Sequence, residues 1–513
     1  MHGLVRSLLF CSLAAASSSL GYVIPYTYSR ELASRQTSDP KMVFAHLIVG
    51  ITGNRASAAD YDDDMKRAKA LGIDAFALNI GNEQPEVQLG FAYDSAAANG
   101  MKAFISFDCN FFPPGQEGQI GALISQFAAK PAQLTVANGK PFVSTFIGDN
   151  LNVDAIRGAA GRDIFFVPNF HPGQGDFGKI DGAFNFQGWP SNGRNKAPSD
   201  GQLVTVNDGD QTFLSNLAGK SYMAPVSPWF STHFGGEVPF SKNWVFPSEL
   251  LIYQRWLEVL ALKPSFAEIV TWNDYGESHY IGPLSSKHTD DGASKWANDM
   301  PHNGWADLSK PFIAAYKAGA DKPDTFIDEE KIIYWYRITP KGLDCDATDT
   351  TMGAGNNATG DFFNGHPNGF DTLSDDVFVV SLLKTPGTVT VNSGGTLYTF
   401  DAPAGASAFQ APFKVGTQAF ALNRDGAEVM SAVSLKAIQD TCPCGIYNFN
   451  SYVGTVPEGP RDDLQADGLT NFKNGLSSQV ACDAQPSLPA TPPPTAAPTV
   501  TSSVAAAPTS PPI

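Results

Sequence analysis

The chain has 513 residues, a formal net charge of −17 and only 17% charged residues, with 48 Gly and 37 Pro. That length exceeds one ordinary domain, and the composition is that of a loop-rich globular protein, which excludes a coiled coil or a disordered chain. The negative charge argues against nucleic acid or an anionic membrane as partner, whereas a neutral polysaccharide meets no such repulsion.

The chain opens with "MHGLVRSLLFCSLAAASSSLGY": Arg6, an apolar stretch from Leu8 to Ala16, then small residues. This is the pattern of a secretory signal peptide, expected over 1–20 and followed by an N-terminal segment over 21–40. No later run approaches the ~20 apolar residues that span a bilayer. A secreted protein is expected, extracellular or held in a cell wall. Cys11 would leave with the signal. Cys345, Cys442, Cys444 and Cys482 crowd the C-terminal third, as in a stapled smaller domain in an oxidising compartment. Cys109 is expected as the odd thiol, buried after a strand, and the pairing of the others is not legible. "CPCG" at 442–445 has CxC spacing, neither a zinc nor a redox CxxC, and Asn357-Ala358-Thr359 is a glycosylation sequon.

From residue 41 to about 325, β-rich runs alternate with helical periodicity. The runs are "MVFAHLIVG" (42–50), "DAFALNIG" (74–81), "KAFISFDC" (102–109), "PFVSTFIG" (141–148), "DIFFVPNF" (163–170), "DGAFNFQGW" (181–189), "SYMAPVSPWF" (221–230) and "AEIVTWND" (267–274). Near-continuous apolar strands joined by helices indicate a parallel sheet covered on both faces. Eight such units over 41–325 predict an α/β fold, a (β/α)8 TIM-type barrel. The sixth run is the least strand-like, and a doubly wound open sheet is the alternative. Over 326–484 the rhythm becomes antiparallel: "KIIYWYRITP", "DVFVVSLLK", "GTVTVNSGGTLYTF" and "FQAPFKVGTQAFALNRDG" read as a β-sandwich-like accessory domain. The tail, 485–513, has neither charge nor aromatic ring and reads as a disordered Pro/Ser/Thr stalk.

In such a barrel the active site lies at the C-terminal strand ends. His46, Asn79 and Asp108 fall at the first three ends, and Asp149 follows the fourth. Asn169, Phe170 and His171 close the fifth, Trp189 the sixth, and Trp229, Phe230 and His233 the seventh. The eighth delivers Trp272, Asn273, Asp274, Tyr275, Glu277 and His279. Rings stack on pyranose C–H faces, amides and imidazoles bond hydroxyls, and glycoside hydrolysis needs one carboxylic acid and one carboxylate. Burying one carboxyl among Trp272 and Tyr275 would raise its pKa and keep it protonated. Asp274 and Glu277 are therefore the expected acid and base, with Glu277 provisionally the acid. Asp108 is expected to bind hydroxyls or position water. His46, Asn79, Asn169, His171, Trp189, Trp229, Phe230, His233, Trp272, Asn273, Tyr275 and His279 are the expected substrate contacts.

"GQGDFG" (173–178) matches GxGxxG, but no helix opens after it, so it reads as a cleft loop. "DYDDDMK" (60–66) reads as acidic decoration of a helix N-terminus. HExxH, Walker A and GxSxG patterns do not occur, and no cofactor or metal is expected. A monomer is expected.

"KMVFAHLIVGITGNRASAADYDDDMKRAKALGIDAFALNIG", "AYDSAAANGMKAFISFD", "APVSPWFSTHFG" and "TWNDYGESHYIGP" resemble the fungal α-1,3-glucanases, or mutanases, of glycoside hydrolase family 71. The resemblance runs from about 41 to 335 and more loosely to about 483. It implies an inverting endo-hydrolase of α-1,3-glucan, with the catalytic pair of the W-N-D-Y-G-E motif at Asp274 and Glu277. A further essential Asp of the F-I-S-F-D motif matches Asp108. Some members carry a glucan-binding module after a Pro/Ser/Thr linker, and none is expected here. Hydrolysis of another polysaccharide, or sugar binding without catalysis, are the alternatives; the intact acidic pair disfavours the second.

Overall fold

The computed structural model describes residues 41–81, 85–193, 196–198, 201–234, 242–289, 292–349 and 365–459. The expected signal peptide, the 21–40 segment, the Asn357 sequon, Cys482 and the tail lie outside the described residues. Eight parallel strands start within two residues of the eight expected runs. They are β1 (Met42–Ile48), β2 (Ala75–Ile80), β3 (Lys102–Asp108), β4 (Lys140–Phe146), β5 (Phe165–Val167), β6 (Gly182–Phe184), β7 (Ser221–Val226) and β8 (Phe266–Ile269).

Their order in the sheet is β5-β4-β3-β2-β1-β8-β7-β6, so β1 lies between β2 and β8. The sheet curls. In a flat sheet β4 and β8, four strands apart, would be separated by ~19 Å at the usual strand spacing. The rings of Phe142 on β4 and Phe266 on β8 instead meet at 5.2 Å. Phe44 and Phe104 join them, at 4.9 Å from each other, so phenylalanines fill the concave side. Residues of opposite parity (Val43, Ala45, Leu47, Phe76, Leu78) face outward into the cluster shared with the helices. The outer strands β5 and β6 share no ladder. They meet through Asp181 N–H to the Phe166 carbonyl (3.0 Å) and Phe184 N–H to the Pro168 carbonyl (2.9 Å).

Helices follow every strand except β5: α1 (Asp62–Leu71), α2 (Glu86–Asn99), α3 (Glu117–Phe127), α4 (Val153–Ala160), α5 (Val206–Asn216), α6 (Leu251–Leu262) and a closing helix, Asn303–Ala318. Between β5 and β6 the chain reads Pro168, Pro172, Gly173, Gly175 and Gly178, which removes helix propensity and leaves a loop. A Ser57/Asp60 capping box opens the 3-10 turn Ala58–Tyr61 that leads into α1, three Asp occupy the first turn of α1, and Gly72, at φ 91°, ends it.

The short ladder of β6 against β7 is backed by a buried ion pair. Arg255 of α6 bonds both carboxylate oxygens of Asp210 of α5 and gives Nε to the Pro225 carbonyl at 2.7 Å. Asp210 in turn accepts from the Tyr222 hydroxyl of β7.

The C-terminal part forms two four-stranded antiparallel sheets, as expected. One has β9 (Lys331–Arg337), β10 (Asp376–Leu383), β13 (Gly405–Pro412) and β16 (Ser451–Val456); the other has β11 (Gly387–Ser393), β12 (Thr396–Ala402), β14 (Gln418–Arg424) and β15 (Ala427–Val433). Cys345 and Cys442 are disulfide-bonded, Cys444 is disulfide-bonded as well, and Cys109 is a buried free thiol. The sheets do not hang free. Ile333, Trp335, Phe378 and Val453 share one core with Trp256 of α6 and with Trp305 and Phe312 of the closing helix. His302, fully buried, lies between the Tyr280 and Ser451 carbonyls at 2.9 Å each.

Truncating Arg255 leaves Asp210 buried without its counter-charge. Arg255→Ala is expected to cost about 3–5 kcal/mol of stability, measured as a denaturant midpoint at constant slope. A loss below about 1 kcal/mol would show that the pair does not hold this side of the sheet.

Candidate active site

Beyond Ile269 the β8 chain is fastened before it exposes any charge. Val270 N–H bonds the Val226 carbonyl at 2.9 Å and Trp272 N–H the His46 carbonyl at 2.7 Å. The Asn273 amide takes the Ile48 N–H at 2.7 Å and returns Nδ2–H to the Ile48 carbonyl at 3.1 Å. Trp272 points down, its Nε1 on Asp64 at 2.9 Å, and the Tyr275 hydroxyl points down to the Pro283 carbonyl at 2.8 Å. What remains on the upper side is Asp274 and Glu277, each keeping 18% side-chain exposure.

The two are locked to each other. Thr271 Oγ1 accepts the Asp274 N–H at 2.8 Å, and Asp274 Oδ1 accepts the Glu277 N–H at 2.9 Å. Glu277 Oε1 is ion-paired with Lys242, and Oε2 lies 2.9 Å from His279 Nε2. His279 is buried between the rings of Trp189 (4.7 Å) and Phe230 (5.7 Å), with Nδ1 3.1 Å from Thr271 Oγ1. The Glu277 carboxylate, ion-paired with Lys242, can only accept, which assigns the imidazole proton to Nε2 and leaves Nδ1 to accept the Thr271 hydroxyl proton. Burial lowers the His279 imidazole to about 4, against Asp274, which raises it, and with Lys242, which lowers it further.

Across the mouth, Asp108 ends β3 opposite Phe146 of β4. Burial raises its carboxyl above the usual range, opposed by Asn110, whose N–H and Nδ2–H reach Oδ1 at 2.9 and 3.0 Å, and by nearby His46. His46 Nδ1 meets Glu268 Oε1 at 2.8 Å. Half-buried Phe146 and Phe186 pack at 4.6 Å, and Phe186 lies 5.4 Å from His46. Half-exposed His171 bonds Asp149 through N–H (2.7 Å) and Nδ1 (2.8 Å) on the rim.

Several expected sugar contacts lie elsewhere. Trp189, Trp229, Phe230, Trp272 and Tyr275 are all at most 4% exposed, so they support the site from below and offer no stacking face. Trp229 gives its Nε1–H to the Phe449 carbonyl (2.9 Å), and Trp189 to the Trp229 carbonyl (3.1 Å). Asn169 bridges Ile147 N–H (3.1 Å) and the Phe184 carbonyl (2.9 Å), binding β5 to β6. Asn273 is the clamp described above, and buried Asn79 reaches the Ser106 carbonyl. His233 is buried between Asn243 (2.8 Å) and Asp349 (2.6 Å), supporting the hairpin Ser231–Phe234/Lys242–Val245 that carries Lys242. The acidic run at 60–66 is also more than decoration: Asp64 is buried, paired with Arg55 at 2.8 Å beneath Trp272.

A match to the model of glycosyl hydrolase family 71 covers residues 39–465. The chain belongs to glycosyl hydrolase family 71. A mutanase of Penicillium rubens is 42% identical over 461 residues, 88% of this chain and 97% of that one. The glucan endo-1,3-alpha-glucosidase agn1 of Schizosaccharomyces pombe is 35% identical over 82% of this chain and 96% of its own. The ascus wall endo-1,3-alpha-glucanase of the same yeast is 27% identical over 76% and 90%.

In this family 71 hydrolase, donor atoms of Asp274, Glu277 and His279 lie within 4.8 Å of one another, close enough to share a cation. The Lys242 ammonium already places a positive charge on Glu277. Sequence reasoning missed Lys242, Phe146, Phe186, Phe111 and Glu268. Parity would have found three: Phe142, Ser144 and Phe146, like Phe184 and Phe186, fall at alternate, inward positions, and Glu268 is a charge at an inward position of an apolar strand. Phe111, 59% exposed, lies over Gly81, where a Cβ would come within 2.8 Å of its ring.

The His279 shift has a sign. The unfolded chain takes up this proton near the ordinary value of 6.5, the folded chain only near 4. Its contribution is thus complete above about 6.5 and is lost as pH falls towards 4. Melting midpoints from pH 7 to 4 are expected to fall more steeply for the native chain than for His279→Asn. Parallel curves would reject the neutral buried imidazole.

Proposed function

We propose that this chain is a secreted endo-hydrolase of α-1,3-glucan in which Asp274 and Glu277 supply the acid and the base. The observation that carries the reading is the β8 end, where two carboxylates, each 18% exposed, stand side by side among the buried rings of Trp189, Phe230, Trp272 and Tyr275. The substrate follows from the relatives: two are named endo-1,3-α-glucan hydrolases and one a mutanase. We further propose that the curled sheet closes as a (β/α)8 barrel through the β5–β6 contacts. Residues 41–325 then form the catalytic unit and 326–484 the accessory β-domain.

The roles are revised by the contacts. Glu277, ion-paired with Lys242 and bonded by His279, suits the carboxylate that takes a proton from water, which leaves Asp274 to protonate the departing oxygen. Asp108 binds or orients a hydroxyl across the cleft. Phe111 offers the exposed ring on which a glucosyl unit stacks. Inverting glycosidases hold their carboxyl groups ~6.5–9.5 Å apart, retaining ones ~5–5.5 Å. Here the nearest donor atoms lie within 4.8 Å, so inversion needs the two side chains to part around the bound chain.

Asp274→Asn and Glu277→Gln are each expected to lower reducing-end release from insoluble α-1,3-glucan by ~10²–10⁴-fold. On a glucosyl fluoride, whose leaving group needs no acid, Asp274→Asn should recover and Glu277→Gln should not; the reverse would restore Glu277 as the acid. Proton NMR of the first product formed decides stereochemistry: β-anomer for inversion, α-anomer for retention. Release from starch or β-1,3-glucan alone would reject the substrate, and release from none would reject the enzyme.

Phe111→Ala is expected to raise KM for soluble α-1,3-oligosaccharides about 3–10-fold with kcat nearly unchanged. An unchanged KM would remove Phe111 from the cleft.

A further inference from the structure

Beneath the cleft the concave side of the sheet is layered. Phe44, Phe104, Phe142 and Phe266 form an apolar floor, and one inward position further along their strands stand His46, Ser106, Ser144 and Glu268. Glu268 is 0% exposed and His46 3%. Glu268 Oε1 lies 2.8 Å from His46 Nδ1, and its Oε2 has no hydrogen-bond partner among the described residues.

A half-satisfied buried carboxylate is costly, because desolvation penalises the charge and no second donor repays it. A glutamine would accept the same Nδ1–H bond through its carbonyl oxygen at lower cost. What glutamine lacks is the charge. His46 sits within electrostatic reach of Asp108 on β3, and the uncharged ring of Phe186 lies 5.4 Å from it.

We infer that Glu268 is a positioning residue: it keeps the proton of His46 on Nδ1 and, through that imidazole, sets the electrostatic field at Asp108. The bond to Glu268 fixes the tautomer and ring angle, so Nε2 is turned away from the carboxylate. Asp108 faces this imidazole from β3 and Glu268 faces it from β8, where burial raises the Glu268 carboxyl and the bond to His46 opposes that rise. No covalent step is involved. A proton is held at Nδ1, and the charge balance of Glu268, His46 and Asp108 shifts together. The inference rests on the reading that Asp108 works in the cleft.

The test is Glu268→Gln in the full chain, assayed on soluble α-1,3-gluco-oligosaccharides across pH. The expected result is a kcat about tenfold lower, as for one pKa unit at the dependent group. KM should stay within about twofold, the acid limb of the pH profile should move, and the melting midpoint should not fall. In ¹⁵N-histidine spectra, with the His46 signal assigned from its loss in His46→Gln, the ring proton of the native chain should be found on Nδ1, the nitrogen that faces Glu268. Glu268→Gln/Asp108→Asn should be no slower than Asp108→Asn alone. A native pH profile and kcat, or a loss of rate that only follows a lower melting midpoint, would overturn the inference. Should Glu268→Gln not fold, His46→Gln carries the same kinetic test. Native turnover in Asp108→Asn by itself is a different failure: it removes Asp108 from the reaction, and the proposed route with it, before Glu268 is altered.

Discussion

A strand end can present charge to solvent only if its backbone is tied down first, and at the end of β8 that tie is one side-chain amide. Asn273 satisfies both the N–H and the carbonyl of Ile48, extending the β8–β1 pairing past its last ladder residue. Trp272 adds a second anchor, reaching Asp64 across 208 positions of sequence. With those two side chains tied to β1 and α1, the turn after them leaves Asp274 and Glu277 partly exposed. The remaining bonds, from Thr271 to Asp274 and from Asp274 to Glu277, pass the same constraint along the turn.

The other half of the site is held from outside the parallel sheet. Lys242 reaches Glu277 from a hairpin whose His233 is bonded to Asp349, and whose Asn243 and Val245 backbones pair with Asn368. Asp349 follows Cys345, which is disulfide-bonded to Cys442. Trp229 is pinned to the Phe449 carbonyl and His302 to Ser451. The antiparallel sheets thus act as a buttress for the loops at the mouth. Their shared core with Trp256, Trp305 and Phe312 explains why they pack on the helices and do not trail from them.

Electrostatics and packing meet in the layering of the concave side. An apolar floor of rings excludes water below, a thin polar layer lies over it, and the carboxylates stand above that. Because the layers repeat every second residue along each strand, one pattern, Phe104-Ser106-Asp108, contains all three. Charges held over so apolar a base interact more strongly than they would in water, and the low dielectric makes each neighbour count. That is why a neutral histidine and a lysine beside Glu277 matter to what Glu277 can do.

Strand positions and order of the acidic motifs were legible in the sequence alone, because hydrophobic periodicity and propensity act over a few residues. So were the break after β5, written in Pro168, Pro172 and three glycines, and the charge pattern that points to a neutral partner. Which way each ring faced was not. A tryptophan at a strand end serves equally as platform or foundation, and Trp189, Trp229 and Trp272 became foundations because buried partners for their N–H groups lie 40, 220 and 208 positions away. The arrival of Lys242 at Glu277, and of Glu268 beside His46, likewise depended on the curl of the sheet bringing distant segments into contact. Local sequence determines the period of a strand; only packing against the rest of the chain decides what its end can reach.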